Sequence, residues 1–179
     1  MHPPAEFVVR PYCHDDIPDL YAAVRASLAH LSPWMPWCST GYSEIDAVSF
    51  VLARAELRER GEEYDFAIVE TSGNHFVGSA GINRIQNQDR LANLGYWVHV
   101  DWCGRGAATR AARQVARFGF TELGLARLEI VVDIDNRPSQ RVAEKLGAQR
   151  EGVMRRRLWR HDQPRDAVLY SLLPEDLGE

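Results

Sequence analysis

The chain has 179 residues, the size of one ordinary domain, and its 45% hydrophobic content is enough to build a core. The formal net charge of −4 excludes the general affinity for nucleic acid that a basic domain would have. No apolar run reaches the ~20 residues of a membrane helix, and residues 1–6 lack the regions of a secretory signal. We expect a single domain over residues 1–179, in the cytoplasm, with no membrane or nucleic-acid partner.

The spacing of cysteine and histidine argues against metal chemistry. Cys13, Cys38 and Cys103 are odd in number and far apart, without a C-x-x-C pair. The six histidines lack the i, i+4 spacing of a helical metal site. We therefore expect neither a disulfide framework nor a bound metal.

The first hundred residues contain two helical patterns and four strand patterns. Asp15 and Asp16 are typical helix caps, and Ser43 with Asp46 indicates the start of a second helix that stops at Gly61. Turn residues such as 72–74 separate the later strands. The predicted elements are a strand at 6–10, helices at 17–28 and 44–60, and strands at 64–70, 75–84 and 92–100.

The remaining residues alternate helix and strand before a final hairpin. The spacing of apolar residues predicts a helix at 106–123, and strict alternation of apolar and polar residues predicts a strand at 127–133. A short helix is predicted to begin at Asn136 and to end at Gly147. Two strands at 149–158 and 165–173 would turn at 161–164. This order predicts an α/β fold with a mixed, mostly antiparallel sheet.

A glycine-containing turn joins the third central strand to the 106–123 helix. The first-turn N–H groups of a helix lack helical partners, and the helix dipole adds roughly half a positive charge there. Gly104 and Gly106 would let a phosphate approach the backbone without meeting a Cβ. The pattern therefore suits an anion site, although a purely structural turn fits it equally well.

Two other phosphate loops fit the same segment less well. A Walker loop needs a terminal Gly-Lys-Ser/Thr, which is absent. A dinucleotide fingerprint needs a third glycine where Thr109 stands, although Glu129 is suitably placed as its acid. About 100 residues precede the loop and only one βα unit follows, whereas a dinucleotide fold begins with its fingerprint.

Asn136 and Ser139 lie three residues apart at the start of the next helix. Both residue types are good helix caps, so capping alone is one interpretation. The other places them beside the glycine loop, on a second parallel strand. There Asn136 would bind the amides of a long polar arm attached to a pyrophosphate, and Ser139 would reach a sulfur atom.

Five motifs are distributed along the chain: L-x-x-WMPW at 31–37, VGSAGINRI at 77–85, LGYWV at 94–98, N-x-x-S-x-x-VAEKLG at 136–147 and EGVMR at 151–155. Together they resemble the GNAT acetyltransferases, and more narrowly the RimJ/RimL group that acetylates protein N-termini, including ribosomal ones. The similarity covers nearly the whole chain and implies the GNAT fold, with splayed central parallel strands and flanking helices, acetyl-CoA as cofactor and a homodimer.

The resemblance also implies roles for individual residues. Backbone groups of Val98 and Val100 would pair with the pantetheine arm of CoA, and Asn136 would hold that arm. Ser139 would protonate the leaving thiolate or hydrogen-bond to it. The residues expected to bind the CoA pyrophosphate are Cys103, Gly104, Arg105, Gly106, Ala107, Ala108 and Thr109.

Two positions depart from the family pattern. Cys103 stands where the loop usually begins with Gln or Arg, and direct transfer needs no acyl-cysteine. Asn93 occupies the catalytic position of a glutamate that serves many relatives as general base, and an amide cannot accept the proton. A protein α-amine with a pKa near ~7.7–8.0 is roughly a fifth or more neutral at pH 7.4, against about 0.1% for lysine. Asn93 therefore favours an α-amine acceptor.

The proline-broken loop and an arginine run are the remaining candidates for substrate contact. Trp34 and Trp37 are either core aromatics or a wall of the substrate site, and the loop favours the wall. The run 155–157 with Arg160 is either a solvated strand end or a contact for an acidic substrate segment. The alternatives to N-terminal acetylation are a small-molecule acetyltransferase, a non-catalytic acyl-CoA-binding module and, more distantly, a dinucleotide-binding oxidoreductase.

Overall fold

The computed structural model describes residues 6–178, which form one seven-stranded sheet with helices on both faces. Short 3₁₀ segments precede the first helix and follow the fourth and last strands. The strands are β1 (Phe7–Pro11), β2 (Tyr64–Glu70), β3 (His75–Gln86), β4 (Leu91–Val98), β5 (Arg127–Asp133), β6 (Gln149–Arg160) and β7 (Gln163–Leu172), and the helices are α1 (Ile17–Ala26), α2 (Leu28–Leu31), α3 (Glu44–Glu59), α4 (Ala107–Thr121) and α5 (Arg137–Leu146).

The strands are ordered β1-β2-β3-β4-β5-β7-β6 across the sheet. Every neighbouring pair is antiparallel except β4 and β5, which are parallel. The predicted mixed, mostly antiparallel sheet is confirmed.

The parallel pair at the centre of the sheet diverges after three residues. Its ladder runs from Leu91 opposite Arg127 to Asn93 opposite Glu129. Beyond that point, in the part of the chain that the structure describes, β4 pairs only with β3 and β5 only with β7. Two strand edges therefore face each other across a wedge-shaped gap, as the prediction of splayed parallel strands requires.

Small side chains bring α4 close to one face of the sheet. Ala111, Ala112 and Ala116 are completely buried against it. At Gly119 even a Cβ would lie 2.7 Å from Cδ1 of Ile82, closer than carbon atoms pack. Helices α1 and α3 cover the opposite face and enclose a second apolar cluster.

The first predicted helix, which we expected to continue through Leu28, is interrupted at Ser27. Helix α1 ends at Ala26, and α2 begins at Leu28. Ser27 is 1% exposed, and its Oγ accepts the N–H of Val100 at 3.0 Å. The chain breaks the helix there because this buried hydroxyl ties α1 to the segment after β4.

Two predicted strand ends also differ from the structure. The strand predicted at 92–100 ends at Val98 because the chain turns into a 3₁₀ segment at Val100–Trp102. The hairpin between β6 and β7 turns over His161 and Asp162 alone, whose φ angles of 46° and 57° match the tight turns that suit twisted strands. Both hairpin strands are therefore longer than predicted.

The ends of the other helices agree with the sequence. Ser43 donates its N–H and Oγ–H to Asp46 at 2.8 and 2.7 Å, which caps α3. Gly147 ends α5 with a φ of 98°. Asp16 is different: it is buried and holds the entry to α1 by accepting bonds from Arg10 and from the N–H of Cys13.

Replacing Asp16 by Asn should destabilise the fold by about 2 kcal/mol, because the change leaves the Arg10 guanidinium without its charged partner. Burial opposes ionisation of Asp16, but the bonds from Arg10 and Cys13 outweigh it and keep the pKa of the carboxyl below its usual value. A carboxyl with a depressed folded-state pKa stabilises the protein above its unfolded pKa, and this stabilisation is lost on acidification.

Urea unfolding of Asp16→Asn and the wild type at pH 7 and at progressively lower pH measures this. The difference in unfolding free energy should shrink as the pH falls through the folded-state pKa of Asp16. The exposed Asp19→Asn in the same helix is the control and should unfold like the wild type. Equal stability of Asp16→Asn and wild type at pH 7 would show that the pair is dispensable.

Candidate functional site

A cavity of about 430 Å³ opens where β4 and β5 diverge. Residues 93–97 of β4 and 130–133 of β5 line its two sides. The loop at residues 34–37 and the end of β6 complete the walls. The wedge in the sheet therefore leads directly into a chamber of the size of a small-molecule site.

Two glycines on adjacent strands form part of the chamber lining. Gly81 of β3 lies opposite Gly95 of β4 and, on its other side, opposite Asp65 of β2. A Cβ at Gly81 would collide with the carboxylate of Asp65, whereas one at Gly95 would meet nothing closer than 3.8 Å. The absence of a side chain at Gly81 thus leaves room for the Asp65 carboxylate, and its absence at Gly95 leaves open space next to it.

Asn93 faces a second asparagine across the strand pair. Its Nδ2 donates to Oδ1 of Asn83 at 3.0 Å, and both residues line the cavity. The position predicted for a general base is therefore occupied by two neutral amides. These groups can orient a polar acceptor, but neither can take up a proton.

Ser139 and Tyr96 form a hydroxyl pair that bridges the wedge. Ser139 Oγ donates to Tyr96 Oη at 3.3 Å, and Tyr96 Oη donates to the carbonyl oxygen of Ser139 at 3.0 Å. Burial raises the pKa of Tyr96 well above its ordinary value, so the phenol stays protonated. Tyr96 was missed by sequence reasoning, although it belongs to the LGYWV motif.

Asn136 both caps α5 and lines the cavity. Its Oδ1 accepts the N–H of Ser139 at 3.2 Å, which is the capping role considered from the sequence. Asn93, Asn136 and Ser139, predicted from separate segments, thus meet in one chamber.

A charged cluster in the cavity was not predicted. Arg54 of α3 donates to Glu63 at 2.8 Å and to Asp65, and its side chain is 14% exposed. Burial raises the pKa of Asp65, and the nearby Arg54 opposes that shift. Arg54 lies within α3, Glu63 in the connection after it and Asp65 near the start of β2, so no single local motif predicts the cluster.

The glycine loop has the backbone of an anion site but lies outside the cavity lining. Gly104 and Gly106 have φ angles of 76° and 83°, which disfavour any residue with a Cβ. A Cβ at either position would meet nothing within 4 Å. The residues at 103–106 are exposed in front of the 15-residue α4, so a phosphate can reach the first-turn N–H groups.

The backbone of Val100 differs from the prediction. Its N–H is donated to Ser27 Oγ, and its carbonyl accepts the N–H of Cys103 at 3.2 Å. Both groups are thus used within the protein. Val98 is better placed: His99 donates its N–H to Val77 in β3, and successive N–H groups of a strand point to opposite sides, so that of Val98 faces the gap.

The thiol of Cys103 is not activated as a nucleophile. Its Sγ lies 3.3 Å from Nε2 of His30, and burial together with Asp101 raises the pKa of the thiol. Among residues 6–178 no group of three or more His, Cys, Asp or Glu side chains is arranged to hold a metal ion. No helix in the same range has the length and apolarity needed to cross a membrane.

Trp34 and Trp37 both line the cavity. The ring of Trp37 lies 5.9 Å from that of Trp97 and 6.0 Å from that of Tyr42, and it remains 45% exposed. The carbonyl oxygen of Trp34 accepts a hydrogen bond from the Nε–H of Arg160 at 3.1 Å, which connects the loop to the end of β6. The tryptophan loop therefore forms a wall of the chamber.

Known proteins share both the sequence pattern and the fold. The acetyltransferase (GNAT) domain family matches residues 6–149. The chain is 26% identical to the ribosomal-protein-serine acetyltransferase of Escherichia coli over 96% of its own length and 90% of the relative's. It is 30% identical to the spermidine N(1)-acetyltransferase of Escherichia coli over 62% and 63% of the two lengths.

A solved structure gives the same result at the level of the fold. RimJ of Mycobacterium smegmatis, in complex with CoA-disulfide, is 28% identical with a TM-score of 0.86, over 99% of this chain and 86% of that one. The family match spans the wedge, the glycine loop and the Asn136–Ser139 helix start. The chain belongs to the GNAT acetyltransferase family, and it is an N-acetyltransferase that uses acetyl-CoA.

Proposed function

We propose that the protein transfers an acetyl group directly from acetyl-CoA to the α-amine of a protein N-terminus. The observation that carries the proposal is the single cavity at the wedge, where Ser139 with Tyr96 and the amide pair of Asn93 line the same space as the tryptophan loop. This arrangement puts a proton donor, a polar acceptor pocket and an aromatic wall around one point.

Acetyl-CoA would run from the glycine loop through the wedge. The first-turn N–H groups at 104–109 would bind the pyrophosphate, with the positive end of the α4 dipole. The pantetheine amides would fill the gap as an extra strand beside Val98, because backbone groups there lack a ladder partner. Asn136 would contact the arm near its thiol end.

In the reaction the acceptor nitrogen attacks the thioester carbonyl, which the N–H of Val98 polarises. The tetrahedral intermediate then breaks its C–S bond, and the acetyl group stays on nitrogen. Ser139 would donate a hydrogen bond or proton to the departing thiolate, and Tyr96 would return a proton to Ser139 across their 3.3 Å contact. The proton released by the amine would reach Tyr96 through water, so the phenol ends the cycle protonated.

The amide pair at Asn93 and Asn83 supports an acceptor of low basicity. An α-amine is roughly a fifth or more neutral at pH 7.4 and needs little help to lose its proton, whereas a lysine amine at about 0.1% neutral would depend on a base. The cytoplasmic location, predicted from the sequence composition, and the homodimer, predicted from the resemblance, remain predictions.

A second candidate acceptor is a small polyamine. The carboxylates of Glu63 and Asp65 line the cavity and would suit a cationic chain. Arg54 already binds both, which leaves about one net negative charge in this cluster. One relative is named a spermidine acetyltransferase, so the substrate panel must include such amines.

Thiol release from acetyl-CoA, measured with N-terminal peptides, lysine-only peptides and small amines, tests the proposal. We expect turnover with free α-amine peptides and little with peptides whose α-amine is blocked. Turnover with polyamines alone would favour the second candidate. Turnover with none of these peptides or amines would contradict both candidate acceptors.

Ser139→Ala should lower kcat about 10–100-fold, because the leaving thiolate loses its hydrogen-bond donor, and should leave the Kd for CoA nearly unchanged. Tyr96→Phe should lower kcat less, since Ser139 remains. The exposed Ser72→Ala is the matched control and should behave like the wild type. Single-turnover acetylation and CoA titration measure both quantities, and an undiminished kcat in Ser139→Ala would remove its catalytic role.

A further inference from the structure

Two arginines give the cavity a basic end that no catalytic step above uses. Arg84 projects from β3 and Arg160 is the last residue of β6, and both line the cavity. Burial and the positive charge of Arg84 lower the pKa of Arg160, while Asp133 opposes the shift. The two guanidinium groups thus bring like charge to one chamber.

Neither arginine forms an ion pair. Within residues 6–178 no carboxylate oxygen lies within 4.0 Å of either guanidinium. Asp133 attracts Arg160, but its carboxylate is bound by Arg165 at 3.1 and 3.2 Å. Arg160 itself donates to carbonyl oxygens, those of Trp34 and Trp159. Two guanidinium groups therefore line one cavity without a carboxylate in contact with either.

The backbone at Arg84 is irregular. The β3–β4 register shifts between Asn83 and Gln86, and Arg84 has a φ of 52°, which disfavours a residue with a Cβ by roughly 1 kcal/mol or more. Bulges of this kind re-aim a side chain and are common beside active sites. The strained backbone position is therefore Arg84, whose charged side chain lines the cavity.

The basic surface continues outward along β6. Its register with β7 shifts between Met154 and Leu158, so residues 155–157, all arginines, occupy a bulge. Arg155 and Arg156 are exposed. The arginine run noted in the sequence therefore lies on the same strand as the Arg160 end of the cavity.

We propose that Arg84 and Arg160 form an anion subsite that binds a carboxylate of the acceptor, from an Asp or Glu side chain within the first few residues after the α-amine. The inference rests on the proposed N-terminal acetylation and names its substrate class. Guanidinium groups bind carboxylates through paired, charge-assisted hydrogen bonds, and residues 155–157 can attract further acidic side chains. Glu63 and Asp65, the other carboxylates of the lining, are already bound by Arg54, whereas Arg84 and Arg160 have no ion-pair partner among the described residues.

Two peptides that differ only in charge test the subsite: one beginning Ala-Asp-Glu and its neutral analogue beginning Ala-Asn-Gln. We expect the wild type to acetylate the acidic peptide with at least a tenfold higher kcat/KM, the size of a good charge-assisted contact. The double variant Arg84→Gln/Arg160→Gln should lose this preference, so that the ratio of kcat/KM for the acidic peptide to that for the neutral peptide falls to about one.

Control variants separate charge from structure. Arg150→Gln removes an exposed arginine of the same strand outside the cavity lining and should keep the full preference. Arg160→Lys keeps the charge and should retain most of the preference, although its bond to Trp34 changes. No acidic preference in the wild type, or an equal loss on both peptides in the double variant, would overturn the proposal.

A binding measurement keeps the subsite testable if no peptide is acetylated, the outcome that would refute the proposed function itself. Succinate serves as the probe, titrated against the CoA-bound protein while tryptophan fluorescence is followed, since Trp34 and Trp37 line the cavity. We expect a saturable change in the wild type and in Arg150→Gln, and at least tenfold weaker binding in the double variant. Absence of saturable binding, or equal binding in all three proteins, would refute the anion subsite.

Discussion

The divergence of β4 from β5 is the constraint on which the rest of the site depends. Three residues of parallel ladder hold the strands together, and beyond Asn93 both strands expose unpaired edges inside the sheet. Unpaired backbone groups within a sheet require partners. An extended ligand rich in amides would satisfy them, which is the reason for proposing that the pantetheine arm lies there. Every element of the site, from the glycine loop to the tryptophan wall, lies along this wedge.

The chamber at the wedge is lined by both neutral polar groups and charged groups. The reacting region holds hydroxyl and amide groups, Ser139 with Tyr96 and Asn93 with Asn83. Charged groups also line the chamber: Arg54 with Glu63 and Asp65 between α3 and β2, Arg84 on β3 and Arg160 at the end of β6. The Asn93 position offers no carboxylate to a reacting amine, which is the reason for proposing a weakly basic acceptor.

Sequence reasoning found the parts of the site that are local in the chain. The glycine loop and the Asn136–Ser139 helix start each lie within a few residues, and their spacing follows from helix geometry. It missed Arg54 with Asp65, and it left the run ending at Arg160 with two interpretations. Arg160 reaches the carbonyl of Trp34, 126 residues away, and such a contact has no local signature. The break at Ser27 was missed for the same reason, since its partner is Val100.

Hydrogen–deuterium exchange with and without CoA tests the central claim most directly, that the wedge between β4 and β5 is filled by the cofactor. Binding should slow exchange at the amides of 94–98, at the glycine loop 103–109 and at the start of α5, while β1 and α3 exchange as before. Slowing at the glycine loop without any at 94–98 would contradict the claim, because CoA would then be bound by its phosphates alone.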